Sequence, residues 1–265
     1  MNAQTRVSPM PRGKYRGMLQ ILRFNWPMYV LALLFCSGAI VAVAVWRPHY
    51  LVAWMMVAAM GFALCWMLAS LAASHWVYDR SGLCDWTWIR SVLSAPPRAW
   101  ASLHAGLDES SGQLKELFPG SRAKVLDIFD PGEMTEPSIA AARNSACSTM
   151  AARADFRALP FARGELDAVF LIFAAHEIRK PVSRSRFFKE INRVLNPGGQ
   201  VLLVEHLRDW NNFLAFGPGF FHFHSRRTWL NAAGQAGLSV ERIFAITPFV
   251  GVFVFQKPSE SSPRE

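Results

Sequence analysis

The amino-acid sequence predicts an α/β domain, with a mostly parallel sheet and helices on both faces, preceded by a two-helix transmembrane hairpin. Two observations support this prediction. Two charge-free apolar stretches follow one another near the N-terminus, and from Trp100 onward short apolar strands alternate with amphipathic helices. Such alternation is typical of parallel strands that are connected through helices.

The apolar block extends from Trp26 to Trp76. Its first run, Trp26–Trp46, holds about twenty uncharged residues, enough to cross a hydrocarbon core of roughly 30 Å. A second run starts at Leu51, and the short turn around His49 leaves room only for an antiparallel hairpin. Aromatic residues cluster at the ends of both runs, as they do at membrane interfaces. The alternatives are a hairpin buried in a soluble core and a cleaved signal peptide, which has a single shorter apolar stretch.

Basic residues precede the apolar block and predict its orientation. Of the net charge of +9, five positive charges stand before the block with no acid among them: Arg6, Arg12, Lys14, Arg16 and Arg23. By the positive-inside rule we expect a multi-pass protein of the cytoplasmic membrane, with both termini and the α/β domain in the cytoplasm. Because these basic residues stand next to an apolar block, they favour contact with anionic lipid over contact with nucleic acid. We therefore predict no nucleic-acid partner. Four cysteines without a C-x-x-C pair predict neither a disulfide framework nor a zinc site.

We therefore divide the chain into five segments. They are a basic tail (residues 1–25), the transmembrane hairpin (26–76), an interfacial connector (77–99), the α/β domain (100–258) and a disordered tail (259–265).

Within the α/β domain, the period of apolar residues predicts the elements. Strands are expected at Ala101–Ala105, Lys124–Phe129, Asp167–Phe173, Gln200–Glu205, Val240–Ile246 and Val250–Gln256. Helices are expected at Ser111–Phe118, Pro137–Arg143, Arg184–Leu195 and Ser225–Ala236, the last capped by Ser225. Asn196–Gly199 is a stop-and-turn signal, and the last two strands are expected to form a hairpin at the sheet edge.

Three segments resemble the class I S-adenosylmethionine-dependent methyltransferases. Arg186–His206 contains Arg-Val-Leu-Asn-Pro-Gly-Gly, which is similar to the end of a family helix and the strand that follows it. Ala154–Phe161 and Leu166–Ile178 are similar to two earlier family segments, in the same order. The resemblance covers about Leu103–Lys257. It implies a Rossmann-like class I methyltransferase sheet, with S-adenosylmethionine as cofactor at the carboxyl ends of the strands.

The first loop departs from the family pattern. In the aligned stretch, the family has a glycine-rich loop that lets the backbone approach the cofactor closely. Here only Gly106 matches, Asp108 and Ser110 replace other glycines, and His104 replaces the usual acid. Added side chains narrow such a cleft, whereas Asp108 or Glu109 could bind the ammonium group of the cofactor.

The resemblance also implies where the rest of the cofactor binds. Either Asp127 or Asp130 would accept hydrogen bonds from the ribose hydroxyls, and the spacing does not decide between them. Asp155 would lie near the adenine, with Phe156 as an apolar wall, and Phe173, at the end of the fourth family strand, is a further candidate for binding the cofactor. The alternative for each aspartate is a turn or cap residue.

Two histidines are candidate catalytic residues. His176 follows the fourth family strand, where the family pattern faces the transfer site, and His206 ends the fifth. Methyl transfer to oxygen requires a base, and histidine has a suitable pKa. A structural hydrogen bond is the alternative for each. His222 and His224 have an H-x-H spacing, but the sequence shows no third ligand nearby, so we predict no metal site.

An aromatic insert, Trp210–His224, follows the fifth family strand and is broken by Gly217-Pro218-Gly219. Beside a membrane anchor it predicts a cover for a hydrophobic small-molecule or lipid substrate. The alternative is a flap that packs on the sheet or dips into the membrane interface. The predicted function is a membrane-anchored methyltransferase. The alternatives are a non-catalytic or repurposed protein that binds a ligand or partner at the membrane, and use of the cofactor for other chemistry.

Overall fold

The computed structural model describes residues 14–24, 26–108, 110–136, 139–140, 143 and 151–259. The chain divides into two compact units, residues 1–81 and residues 82–265. Glu109 and most of the helix expected at Pro137–Arg143 lie outside the described residues, as do the basic residues before Lys14.

The N-terminal unit contains the two predicted apolar helices. Helix α1 (Arg16–Phe24) precedes α2 (Trp26–Trp46) and α3 (Tyr50–His75), and a π-helical turn follows at Trp76–Arg80. Both long helices have the length and hydropathy of membrane spans, and only 11% and 0% of their most apolar windows are buried inside the protein. Signal sequences and core helices of soluble proteins share this length and composition, so membrane crossing remains a prediction.

The C-terminal unit starts inside the predicted connector. A 3₁₀ turn at Gly82–Asp85 leads to the short helix α4 (Ile89–Val92). Leu83, Trp86 and Ile89 are buried, and the Trp88 indole N–H donates to the Leu83 carbonyl at 3.0 Å. These residues therefore pack within the C-terminal unit, and the interfacial position of the connector stays a prediction.

Seven strands form one mixed sheet. They are β1 (Ala99–His104), β2 (Arg122–Asp127), β3 (Ala152–Arg153), β4 (Leu166–Ile172), β5 (Leu195–His206), β6 (Ser239–Thr247) and β7 (Val250–Gln256). Their order is β3-β2-β1-β4-β5-β7-β6. The first five pair in parallel, whereas β7 is antiparallel to both β5 and β6. The predicted mostly parallel sheet with an edge hairpin is confirmed.

Helices cover both faces of this sheet at its centre, where β1 is buried at every position. The helices are α5 (Ser111–Leu117), α6 (Pro181–Val194), α7 (Trp210–Phe216) and α8 (Arg226–Gln235), with 3₁₀ turns at Ala175–Glu177 and Gly217–His222. On one face α6 and α8 bury Phe187, Phe188 and Trp229. Successive side chains of a strand point to opposite faces of the sheet. Trp100 lies on the face opposite to α6 and α8, where its ring packs edge-on against the ring of Phe170, with the ring centroids 5.5 Å apart.

The Asn196–Gly199 segment differs from the prediction. Helix α6 ends at Val194 as expected, but the four residues stay in the sheet as an irregular part of β5, between Leu195, which pairs with Leu166, and Gln200, which pairs with Ala168. A Cβ on Gly199 would lie 2.7 Å from the Asn196 side-chain oxygen, so glycine is needed there. The predicted cap is confirmed, because the Ser225 hydroxyl accepts from the Thr228 N–H at 3.2 Å.

Candidate active site

The carboxyl ends of four parallel strands meet at one edge of the sheet. β1, β2, β4 and β5 end there at His104, Asp127, Ile172 and His206. His104 lies directly beside Asp127 in the β1–β2 register. The fold therefore brings the predicted site residues to the same edge, as expected for an open α/β sheet.

His104 is a buried histidine that has no hydrogen-bond partner among the described residues. It is 5% exposed, and neither ring nitrogen bonds to any part of the chain that the structure describes. Burial lowers the pKa of His104, and the charges of Asp108 and Asp127 only partly oppose this shift. Unpaired buried polar atoms are costly in native proteins, so this pair of nitrogens points to a ligand at the end of β1.

Asp108 caps a helix. Its carboxylate accepts from the N–H groups of Ser110 and Ser111, at 3.3 and 3.0 Å, and from the Ser111 hydroxyl. These bonds satisfy donors at the start of α5, a role typical of aspartate. The alternative role of Asp108 as a local cap therefore has direct structural support. Gly106 lies in the same loop and is half-buried.

Asp127 is held by an arginine. Arg143 donates to both carboxylate oxygens of Asp127, at 3.0 and 2.8 Å, and also to the Ala105 carbonyl at 2.8 Å. Its guanidinium lies 4.1 Å from the centre of the Phe129 ring. A bidentate pair of this kind uses the same oxygens that would accept from ribose hydroxyls.

Asp130 and Asp155 meet at another arginine. Arg157 lies 2.8 Å from Asp130, 2.8 Å from Glu133 and 3.2 Å from Asp155. The hydrogen bond from Arg157 lowers the pKa of Asp130. The Asp155 side chain is 53% exposed, so it remains open to a ligand. Phe156 is different from the prediction, because it is fully buried against Phe187, in the core rather than at a cleft wall.

His176 lies between two carboxylates. Its Nδ1 is 2.7 Å from Glu205, and its Nε2 is 3.4 Å from Glu177. The other Glu205 oxygen accepts from the N–H groups of Ala175 and His176. Burial alone would lower the pKa of His176, but the charge of Glu205 and the hydrogen bonds to both carboxylates raise it. A protonated imidazole does not accept a proton, so this geometry disfavours His176 as a general base.

His206 lies between two aromatic rings. Phe173 and Phe223 stack on it with centroids at 5.3 and 4.9 Å. Burial lowers the pKa of His206 to about 4, so the imidazole is neutral at neutral pH. Its Nδ1 faces two oxygens, those of Asn212 at 3.2 Å and of the Phe249 backbone at 2.9 Å. Nδ1 therefore carries the proton, and Nε2 is the basic nitrogen.

Phe173 ends β4 in a rare conformation. Its φ is +50°, in the left-handed region that non-glycine residues seldom adopt. Its N–H donates to the Val204 carbonyl of β5 at 2.9 Å, which ties the turn to the neighbouring strand. Strained backbone of this kind clusters at functional sites.

The aromatic insert presents two faces. Towards the site, Phe216 and Phe223 contact His206, with Phe216 edge-on at 5.4 Å. Towards solvent, Trp210, Leu214 and Phe221 are 76%, 64% and 60% exposed. The insert thus joins the site to an exposed apolar surface. Phe221, although part of the predicted substrate cover, lies on the outer face.

The sequence reasoning missed four residues that shape this site: Arg143, Arg157, Glu177 and Glu205. A signal existed for Glu205, because an acid that ends an apolar strand is seldom buried without a partner. No comparable signal existed for the two arginines, which reach their partners only through the tertiary fold.

A family model described as a methyltransferase domain matches residues 120–203. The solved structure of the pyocyanin biosynthetic protein PhzM is similar, with a TM-score of 0.55 and 16% identity over 94% of this chain and 74% of the other. Human N-acetylserotonin methyltransferase in complex with S-adenosylmethionine gives a TM-score of 0.50 and 13% identity, over 92% and 71% of the two chains. A methyltransferase from Aquifex aeolicus gives 0.47 and 14%, over 60% and 82%. Among curated protein sequences, no match is found.

The fold is that of the class I methyltransferases. The methyltransferase-domain match and the similarity to PhzM together support this conclusion, whereas the score of the Aquifex aeolicus structure is below 0.5. At such low identity the likeness concerns the fold, and function depends on the residues at the sheet edge.

Proposed function

We propose that this chain is a membrane-anchored S-adenosylmethionine-dependent methyltransferase that acts on a hydrophobic small molecule or lipid. One observation carries the proposal. In a methyltransferase fold, a neutral histidine, His206, lies between Phe173 and Phe223, where the carboxyl ends of the strands meet. That arrangement combines a basic nitrogen with apolar walls, as methyl transfer to an apolar acceptor requires.

The residues at this edge fit the cofactor in their chemistry. The unpartnered nitrogens of His104 and the backbone at Gly106 would face its amino-acid part. Asp127 or Asp130 would accept from the ribose hydroxyls, and the exposed carboxylate of Asp155 would lie near the adenine. If Asp127 is the ribose ligand, the ribose hydroxyls compete with Arg143, which donates one hydrogen bond to each of its oxygens.

Bound S-adenosylmethionine supplies an electrophilic methyl group. The chain's contribution is to hold the acceptor and to take its proton. Nε2 of His206 is the atom that would receive the proton, since Nδ1 is oriented towards Asn212 and Phe249. His176, held between Glu177 and Glu205, would supply a positive charge next to a developing anion rather than act as a base.

Membrane anchoring is supported by the N-terminal unit. Its two apolar helices bury almost none of their hydrophobic windows inside the protein, which favours a membrane as their surroundings. The basic residues before α2 favour the cytoplasm for both termini. The outer face of the aromatic insert, with Trp210 and Leu214 exposed, suits a substrate that is delivered from lipid.

A repurposed methyltransferase fold is the second candidate, and one specific observation favours it. Arg143 occupies the acceptor oxygens of Asp127 and the carbonyl of Ala105, next to the altered first loop. A site closed in this way would bind another ligand or a partner instead of the cofactor.

Calorimetry separates the two candidates. Full-length protein in detergent is titrated with S-adenosylmethionine and with its demethylated product. Saturable binding, together with transfer of a radiolabelled methyl group into the organic-extractable fraction of membranes, supports the methyltransferase. Binding without transfer to any membrane fraction supports the repurposed protein, and absence of binding to either compound rejects the cofactor.

A further inference from the structure

A histidine and carboxylate cluster lies beside the candidate active site. His176 and Glu177 are adjacent in the 3₁₀ turn after β4, and His222 ends the 3₁₀ turn of the aromatic insert. One ligand atom from each residue lies within 4.8 Å of the others. The proposed methyltransferase reaction uses neither Glu177 nor His222.

We propose that His176, Glu177 and His222 bind a divalent first-row transition metal ion. The site shares His176 with the proposed methyl transfer, and a bound ion would take over the positive charge that protonated His176 supplies there, because a metal-ligating imidazole is neutral. Two imidazoles and one carboxylate form a donor set that suits zinc or iron(II). A purely oxygen-based set, which magnesium and calcium prefer, is not present in this trio.

The distances between the donor atoms are close to those of a metal site. Glu177 Oε1 lies 3.4 Å from His176 Nε2 and 3.8 Å from His222 Nε2. Two ligand atoms that are each about 2.1 Å from a zinc ion, at a tetrahedral angle, are roughly 3.4 Å apart. Both distances from Glu177 therefore need shifts of a few tenths of an ångström or less, and the two histidine nitrogens, within 4.8 Å of each other, would close by rotation of their rings.

The Glu177 carboxylate is itself evidence for a ligand. Glu177 is 7% exposed, and its Oε2 atom has no hydrogen-bond partner among the described residues. A buried carboxylate oxygen that is left unpaired carries a large desolvation cost. A metal ion bound by both carboxylate oxygens, Oε1 and Oε2, would satisfy this oxygen.

A carboxylate outside the trio orients His176 by a hydrogen bond, and a second carboxylate lies near the corresponding nitrogen of His222. Glu205 contacts His176 Nδ1 at 2.7 Å, and Glu136 lies 4.0 Å from His222 Nδ1. Metal-ligating histidines characteristically donate their second N–H to a carboxylate, which directs the other nitrogen at the metal. Arg179 offsets part of this negative charge, since its Nε lies 3.8 Å from Glu136.

The two histidines of the H-x-H spacing, His222 and His224, do not both belong to the site. His224, the partner of His222 in the H-x-H spacing, is buried elsewhere, with its Nε2 at 3.0 Å from Arg184. The missing ligands come instead from the loop after β4. Three protein ligands leave at least one coordination position open, as in catalytic metal sites.

Zinc titration of the full-length protein tests this proposal. The protein is purified without an affinity tag, stripped with a chelator and titrated with Zn²⁺ by calorimetry. We expect one equivalent to bind, and His222→Gln and Glu177→Gln each to weaken binding at least about tenfold. His49→Gln, which changes an exposed histidine outside the cluster, should leave the affinity unchanged, and Mg²⁺ should not compete.

A measurement of the melting temperature distinguishes a loss of metal binding from a folding defect in a variant. The His222 side chain is 23% exposed, so its replacement should be tolerated. Zn²⁺ should raise the melting temperature of the wild type, because a ligand that binds only the folded state stabilises it, and at the same concentration should raise that of His222→Gln by less. Wild-type protein without a saturable Zn²⁺ site, or equal affinity in wild type, His222→Gln and Glu177→Gln, would overturn the proposal.

Discussion

Arg143 holds Asp127 through two hydrogen bonds, at 3.0 and 2.8 Å, at the point where β2 ends. The same arginine donates to the Ala105 carbonyl in the first loop. One side chain therefore bridges two places where the proposed cofactor would bind, so cofactor affinity should depend on it.

Replacing Arg143 with methionine should strengthen S-adenosylmethionine binding about tenfold. The cofactor would no longer compete with a charge-assisted pair, which is worth about 1.5–3 kcal/mol. Calorimetry on the full-length protein measures the change, and Arg163→Met, at an exposed arginine, is the matched control. Unchanged affinity in both Arg143→Met and Asp127→Asn would show that Asp127 is not the ribose ligand.

Stability should fall as the pH falls from about 6.5 towards 4. The pKa of His206 is lowered from its ordinary 6.5 to about 4 in the folded protein. The unfolded chain therefore takes up a proton that the folded protein does not bind, and the stability that neutral His206 provides above pH 6.5 is lost on acidification. The positive charge of His176 contributes to this shift.

The variant His206→Gln isolates this contribution. Between pH 6.5 and 4 its unfolding free energy should depend less on pH than that of the wild type, by up to about 1.4 kcal/mol per pH unit. Chemical denaturation at a series of pH values measures the two slopes, with His49→Gln as control. Parallel curves for the wild type and His206→Gln would contradict a lowered pKa.

The two faces of the aromatic insert should have separable effects. Phe216→Ala removes a ring that contacts His206, so turnover should fall with near-normal cofactor binding. Leu214→Ala changes an exposed residue two positions away and should leave turnover in detergent unchanged. When the hydrophobic substrate is presented in lipid vesicles instead of detergent, Trp210→Ala and Leu214→Ala should lower turnover. Full activity of a Phe216→Ala, Phe223→Ala double variant in detergent would reject the pocket.

The hairpin should place His49 on the opposite side of the membrane from the C-terminus. α2 and α3 are each long enough for one crossing, and the turn between them is short. Reporter fusions at both positions measure sidedness directly. Equal sidedness, or release of the full-length protein by carbonate washing, would instead indicate that the helices pack within a soluble assembly.

The period of apolar residues was enough to predict most of the fold. Strands such as Val250–Gln256 consist of nearly continuous apolar residues, and the edge hairpin follows from the short link between β6 and β7. The Asn196–Gly199 segment could not be predicted this way, because a turn sequence and a glycine-dependent irregularity within a strand share the same residues.

The sequence by itself determined the two apolar runs, the mostly parallel sheet with its edge hairpin, and the arrival of His104, Asp127 and His206 at one edge of the sheet. These features depend on local residue patterns and on the rule that parallel strands end on the same side. Only the tertiary structure decided what each polar side chain contacts: Arg143 reaches Asp127, Glu205 holds His176, and His222 meets Glu177 across 45 positions of chain. Such contacts join residues that are distant in sequence, so no local pattern predicts them. The protonation state of each side chain then depends on its burial and on the charges around it, which the fold alone determines.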